Sequence, residues 1–287
     1  MYTKLAEIKI VGAKRTINIL KDIEEGDVNQ LFYHLKPIAE YKHIKYLYKI
    51  AISNGNELQS FLKAIYSNDM SIQNMKPENI FIEGNRLIAN YCSFIGMFID
   101  QIEKLLTKKA GERLESFRKT TDDLYNEKFE YRFFVLLRNF VMHYSFPFTL
   151  YSEDFNSKCL EFSKSRLLSF SKWKHVKSDL EKMDEEIDIR SYIKPMNVNL
   201  TVLLLTLVYH LSKEIVDAYK EVSDFIIKHR VKSPAIVKYD SIEEFKKGNM
   251  VLTPINFKDL QNAFDDVKSH PSINITVNDI TPDWLKE

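Results

Sequence analysis

The chain has 287 residues, 45% of them hydrophobic and 28% charged, a globular balance with length for one large domain or two modest ones. Seven glycines and eight prolines are too few for the many tight turns of an all-β fold, and they favour long helices. A formal net charge of +1 counts against a tight, non-specific nucleic-acid binder, so any nucleic-acid contact must be a local patch.

Residues 1–25 hold a short apolar alternation at Ile8, Ile10 and Val11, which fits either a strand or a frayed helix. Residues 27–52 predict a helix, with Val28, Leu31, Phe32, Leu35 and Ile38 at three-to-four spacing. Ser53-Asn54-Gly55-Asn56 predicts a turn, and 57–66 a short helix. The polar stretch 70–84, with Pro77, predicts a boundary. Residues 85–106 carry the strongest helical pattern, a wide apolar face through Leu87, Tyr91, Phe94, Phe98, Ile102 and Leu105. Lys108, Lys109 and Gly111 supply its charge and stop. A more polar helix is expected over 112–126.

Residues 131–143 are apolar almost all round and predict a buried helix ended by Pro147. Residues 153–188 are charged and read as helical, with Phe155, Cys159, Phe162, Leu167, Phe170 and Trp173 inward. Pro195 opens a last long helix, with a stripe through Val208, Leu211, Ile215, Tyr219, Val222 and Ile226. Beyond Pro234 the pattern is mixed, with β-prone pieces such as 273–277. The expected division is a mainly helical N-terminal region over 1–78, a helical bundle over 79–229 and a C-terminal appendage over 230–287.

Cys92 and Cys159 form no Cys-x-x-Cys pair, and two buried thiols in a reducing compartment are expected. The first residues alternate charged and apolar groups, unlike a signal peptide. The most apolar run, 198–211, is too short for a bilayer span and contains Asn199, Thr201, Thr206 and His210. A core helix, a cytoplasmic location and no membrane partner are the expectations.

Chemistry concentrates in the segment from Tyr131 to Pro147. An apolar helix is a costly place for Arg138, Asn139 and His143; each must find a partner or face water. They form a structural network or they line a site. Asn139 and His143, four apart, share a helical face. Arg138 and His143, five apart, point roughly 140° away from each other. They converge only if the helix loosens near its end or a second copy of the helix completes the site.

Arg138, the polar Asn139, three further residues and His143 resemble the Arg-x4-His motif of the HEPN family, helical bundles found in toxins, abortive-infection proteins and RNA-guided nucleases. The apolar lead-in 134–137 and the exit through Tyr144, Phe146 and Pro147 are similar too. The resemblance covers about residues 79–229. The bare spacing is a weak signal; Asn139 and the apolar helix strengthen it. It implies a HEPN-like helical bundle there; with a helical N-terminal region before it and a small mixed tail after it, the expected fold is all-α.

It also implies metal-independent RNA cleavage by a homodimer without a cofactor, with Arg138, Asn139 and His143 catalytic and Asn90 and Tyr144 accessory. A histidine titrating near neutrality suits proton transfer, and an arginine suits a phosphate. A role in phage defence or as a toxin, restrained by an inhibitor or antitoxin protein, belongs to the same implication. The antitoxin-paired branch has a tyrosine two places after the histidine; here Ser145 stands there. The other reading is a non-catalytic HEPN-like module binding RNA, a nucleotide or a protein. His210 with Glu214 is too small a set for zinc. Lys172, Lys174, His175 and Lys177 around Trp173 form a basic, aromatic cluster that reads best as an exposed face.

Overall fold

The computed structural model describes residues 2–12, 14–109, 111–153 and 158–276. In chain order the elements are strands β1 (Tyr2–Val11) and β2 (Lys14–Asp22), then helices α1 (Glu25–Tyr66), α2 (Met70–Gln73), α3 (Pro77–Lys109), α4 (Glu112–Glu127) and α5 (Phe129–His143). There follow β3 (Phe148–Glu153), β4 (Lys158–Ser163), α6 (Lys164–Leu168), α7 (Val176–Glu181), β5 (Glu186–Ile187) and α8 (Arg190–His229). The chain continues through β6 (Pro234–Tyr239), α9 (Ile242–Lys246), β7 (Val251–Pro254) and α10 (Phe257–Lys268).

The fold is mostly helical, with helix over 66% of the described residues, but it is not all-α: two small antiparallel sheets accompany the helices. By compactness the chain forms two units, one from Met1–Lys42 with Val208–Glu287 and one from His43–Leu207. Helices α1 and α8 contribute one part to each.

The first unit holds a four-stranded sheet in the order β2-β1-β6-β7. The alternation at Ile8 and Ile10 belongs to β1, which pairs Leu5 with Ile236 and Tyr2 with Tyr239 across β6. Strand form prevails over a frayed helix because β1 finds a ladder partner on each edge, satisfying both rows of backbone groups. Helix α10 buries Leu260, Ala263, Phe264 and Val267, spaced three or four apart. Tyr219 stacks on Phe264 with ring centroids 4.0 Å apart. Tyr41 Oη donates to Asp266 (2.6 Å) and Lys42 pairs with Asp259 (2.6 Å).

The second unit surrounds α3 and α5. Pro77 opens α3, a position where the missing N–H costs nothing. Its inward face carries Leu87, Tyr91, Ile95, Phe98, Ile102 and Leu105, and α5 buries Phe133, Phe134, Leu137 and Phe140. Tyr91 meets Phe134 edge-to-face at 5.2 Å. Residues 53–56 do not turn; they continue α1. Gly55 explains this, because a Cβ there would sit 2.7 Å from the Tyr91 ring and 2.8 Å from Asn197 Oδ1. Glycine serves close helix approach here, not a bend.

Residues 153–188 correct the helical expectation. They form β4, two short helices and β5, and Phe155 lies outside the described residues. In β4, Leu160 and Phe162 are buried while Cys159 and Glu161 between them are half-exposed, a period of two rather than 3.6. Ser163 then caps α6, accepting from Arg166 N. Cys92 is buried, whereas Cys159 is only partly so.

Asn85 of α3 pins the start of β3. Its Nδ2 donates to Phe148 O and its Oδ1 accepts from Phe148 N, each at 3.1 Å. Asn85→Ala leaves two buried backbone groups unmet and is expected to cost about 2–4 kcal/mol, read by chemical denaturation. A change under about 0.5 kcal/mol would show that water replaces the amide there.

Helix α8 starts at Arg190, so Pro195 lies inside it rather than opening it. By length and composition α8 is long and apolar enough to cross a membrane, with a mean hydropathy of 1.2 in its most apolar window, 39% of which is buried. Within that stretch Leu200, Leu203 and Leu207 are buried.

Candidate functional site at the end of helix α5

Helix α5 buries one side and presents the other. Tyr131, Phe133, Phe134, Leu136, Leu137 and Phe140 are inward, while Asn139, Met142 and His143 are exposed and Arg138 is partly so. The helix is therefore buried on one face, not all round. The polar residues escape the desolvation cost because they lie on or beside that open face.

Arg138 lies across α3. A Cβ on Gly96 would meet Arg138 Cδ and Cζ at 2.5 Å, so the guanidinium and its stem occupy the space that Gly96 leaves empty. Arg138 Nη1 donates to Asp100 Oδ2 at 3.1 Å. Burial pushes the Cys92 thiol up, and the Arg138 charge opposes that shift. Cys92, Gly96 and Asp100 recur every four residues, so Arg138 follows one row of α3. The ion pair is solvent-screened, its side chains 36% and 58% exposed, and adds little to stability.

Gly96→Ala is expected to leave the fold intact, because the displaced group is the flexible end of a side chain. It moves Arg138 off α3. If Arg138 acts on a phosphate, RNA cleavage by Gly96→Ala falls about 10–100-fold, while thermal unfolding stays near wild type. Unchanged cleavage would free the arginine's position from any catalytic requirement.

Asn139 and His143 share the exposed face one turn apart. Beside them Met142 Sδ accepts from Ser93 Oγ of α3 at 3.5 Å. The row of α3 that carries Ser93 also carries Met97 and the half-buried Asn90, the latter without a hydrogen-bond partner among the described residues.

The helix ends at Tyr144, whose N–H reaches Phe140 O at 2.9 Å. Tyr144 Oη donates to Ser169, with O at 3.2 Å and Oγ at 3.0 Å. Its ring packs on Phe140 and Phe170. Tyr144 thus works as an anchor between the exit of α5 and the turn after α6. Phe146 next to it is 68% exposed.

One cation at this place escaped the sequence reading. Arg166 of α6 donates from Nη2 to Ser145 Oγ at 2.8 Å, and its guanidinium stands 5.9 Å from the Tyr144 ring centroid. Nothing in the spacing signals it, since 21 residues separate it from Ser145. Only the β3–β4 hairpin and α6 bring the two together.

The remaining candidates take other roles. Trp173 is buried and donates from Nε1 to Leu167 O at 2.6 Å, so it offers no ring to a base. Lys172, Lys174, His175 and Lys177 around it are exposed. His210 and Glu214 sit on α8, and no group of three His, Cys, Asp or Glu side chains is placed to hold a metal among the described residues.

Comparison of the chain with protein-family models, with curated proteins and with solved structures returned no match.

Proposed function

We propose that the protein is a metal-independent endoribonuclease of HEPN type that works as a homodimer. The observation that carries this reading is the placement of Arg138, Asn139 and His143 in the last two turns of a helix whose other side is core, with Asn139 and His143 exposed and Arg138 partly so. Arg138 brings donors suited to a phosphate, and His143 a group suited to proton transfer, to one open stretch of the helix.

In the proposed reaction an RNA 2′-hydroxyl attacks the adjacent phosphorus. The new bond is 2′-O–P and the broken bond is P–O5′, which yields a 2′,3′-cyclic phosphate and a 5′-hydroxyl. One histidine takes the 2′-proton as the other protonates the departing 5′-oxygen. Two chains supply both. Arg138 steadies the charged phosphorane, with its fixed charge and planar donors. Asn139 donates to a phosphate oxygen or holds the imidazole.

The exposed Met97, Met142 and Phe146 around the motif give a second copy apolar surface to cover. A cytoplasmic toxin or phage-defence role, with an inhibitor or antitoxin partner, rests on family analogy.

The test is incubation of purified protein with cellular RNA in the presence of EDTA, with its mass measured in solution. Cleavage leaving cyclic phosphate ends, by a species of twice the chain mass, is the expected result. A second reading is favoured by one contact: Arg138 already spends one donor on Asp100, as in a non-catalytic module that binds RNA, a nucleotide or a protein. Binding of RNA without any cleavage selects it.

A further inference from the structure

A polar cleft lies within the His43–Leu207 unit, between α1 and the first turns of α8. It has a volume of about 630 Å³ and holds three cations, Lys63, Arg190 and Lys194, with no carboxylate among its lining residues. Neither lysine has an ion-pair partner among the described residues, and both are exposed. Arg190 is fixed in place. Asp188 takes its Nε and Nη2, at 2.9 and 2.7 Å, and the guanidinium lies 3.2 Å from the Tyr66 ring centroid. Its Nη1 has no partner among the described residues. Asp188 balances Arg190, so the uncompensated positive charge in this concave place is that of Lys63 and Lys194, with Arg190 Nη1 as a further donor, and the arrangement suits an anion.

The neutral lining narrows the anion. Gln59 Oε1 is buried without a donor, although Gln59 lines the cleft. Its Oε1 is shut off from the cleft in this arrangement, so Gln59 meets a ligand hydroxyl or amine by a turn of its amide into the cleft. Asn197, also in the wall, is held by Tyr91 Oη at 2.8 Å and reaches Asn56 Oδ1 at 3.3 Å, so this side of the cleft is pre-formed and polar. Pro195 has no N–H, which leaves the Ser191 carbonyl four residues before it without its helical donor, a further acceptor in the wall.

We infer that this cleft binds a small phosphorylated, hydroxyl-bearing molecule, of the sugar-phosphate or nucleotide class. The two lysines and Arg190 Nη1 take the phosphate, and Gln59 and the Ser191 carbonyl take hydroxyls. The inference does not rest on RNA cleavage at α5.

Calorimetry on the full chain at low salt tests it, with ribose 5-phosphate as probe and ribose, inorganic phosphate and a short single-stranded RNA as comparisons. Ribose 5-phosphate is expected to bind more tightly than phosphate, and ribose to bind at least about tenfold more weakly. The exposed-lysine variants Lys63→Gln and Lys194→Gln should each weaken binding about tenfold with unchanged thermal unfolding, and added salt should weaken it further. Gln59→Leu should narrow the gap between ribose 5-phosphate and phosphate. Three results would overturn the inference: no heat from any phosphorylated probe at millimolar concentration, equal binding by wild type and the lysine variants, or binding of RNA alone.

Discussion

Arg138→Ala is expected to lower RNA cleavage about 10²–10³-fold, the usual loss when one group that stabilises a developing oxyanion is removed. His143→Ala should fall about 10²–10⁴-fold, as for loss of a general acid or base. Neither change should unfold the chain. His143 is exposed, and the Arg138–Asp100 pair is screened by solvent, so its removal costs at most about 1 kcal/mol. Activity and stability therefore separate cleanly at this site. Arg138→Lys should rescue poorly, because an ammonium cannot reproduce the planar donor fork. The measurement is single-turnover cleavage of a labelled RNA, with circular dichroism and solution mass as controls. Equal cleavage by wild type, Arg138→Ala and His143→Ala would place any activity away from α5 and remove the basis for the ribonuclease reading.

Phe133→Ala is expected to lose about 3–5 kcal/mol of stability. Its ring is fully buried and sits among five other aromatic rings. Phe129 and Trp173 stack on it at 5.3 and 6.0 Å; Phe134, Phe162 and Tyr192 stand at 5.5, 6.4 and 6.4 Å. These neighbours come from α5, β4, the α6–α7 connection and α8. They cannot collapse into the space together, so a cavity remains. Ile82→Ala on α3, where the side chain is 59% exposed, should stay within about 0.5 kcal/mol and serves as the control. Urea denaturation of both variants gives the comparison. A loss below about 1.5 kcal/mol at Phe133 would mean that the aromatic cluster repacks freely.

The two outcomes bear on each other. Phe133 and Arg138 lie on one helix, yet one belongs to the buried face and the other to the open end. A Phe133→Ala protein that stays folded yet loses cleavage would show that the cluster holds α5 in register beneath its polar end.

The helices α3, α4, α5 and most of α8 were legible in the sequence because their apolar residues recur at the helical period. That period is a local property: each residue buries its own face against whatever partner arrives. The polar triplet at the end of α5 was legible for a similar reason, since Arg138, Asn139 and His143 break an apolar run. Where the packing depends on distant residues, the sequence misleads. Ser53-Asn54-Gly55-Asn56 has turn composition, but Gly55 is there to admit Tyr91 and Asn197, which lie far along the chain. Residues 158–163 have too short an alternation to stand out among charged neighbours, and pairing with β3 and β5 decides their strand form. Arg138's place over Gly96, Arg166 beside Tyr144 and the cationic cleft between α1 and α8 are likewise tertiary. Each joins side chains from elements remote in sequence, and no periodicity records which remote faces will meet.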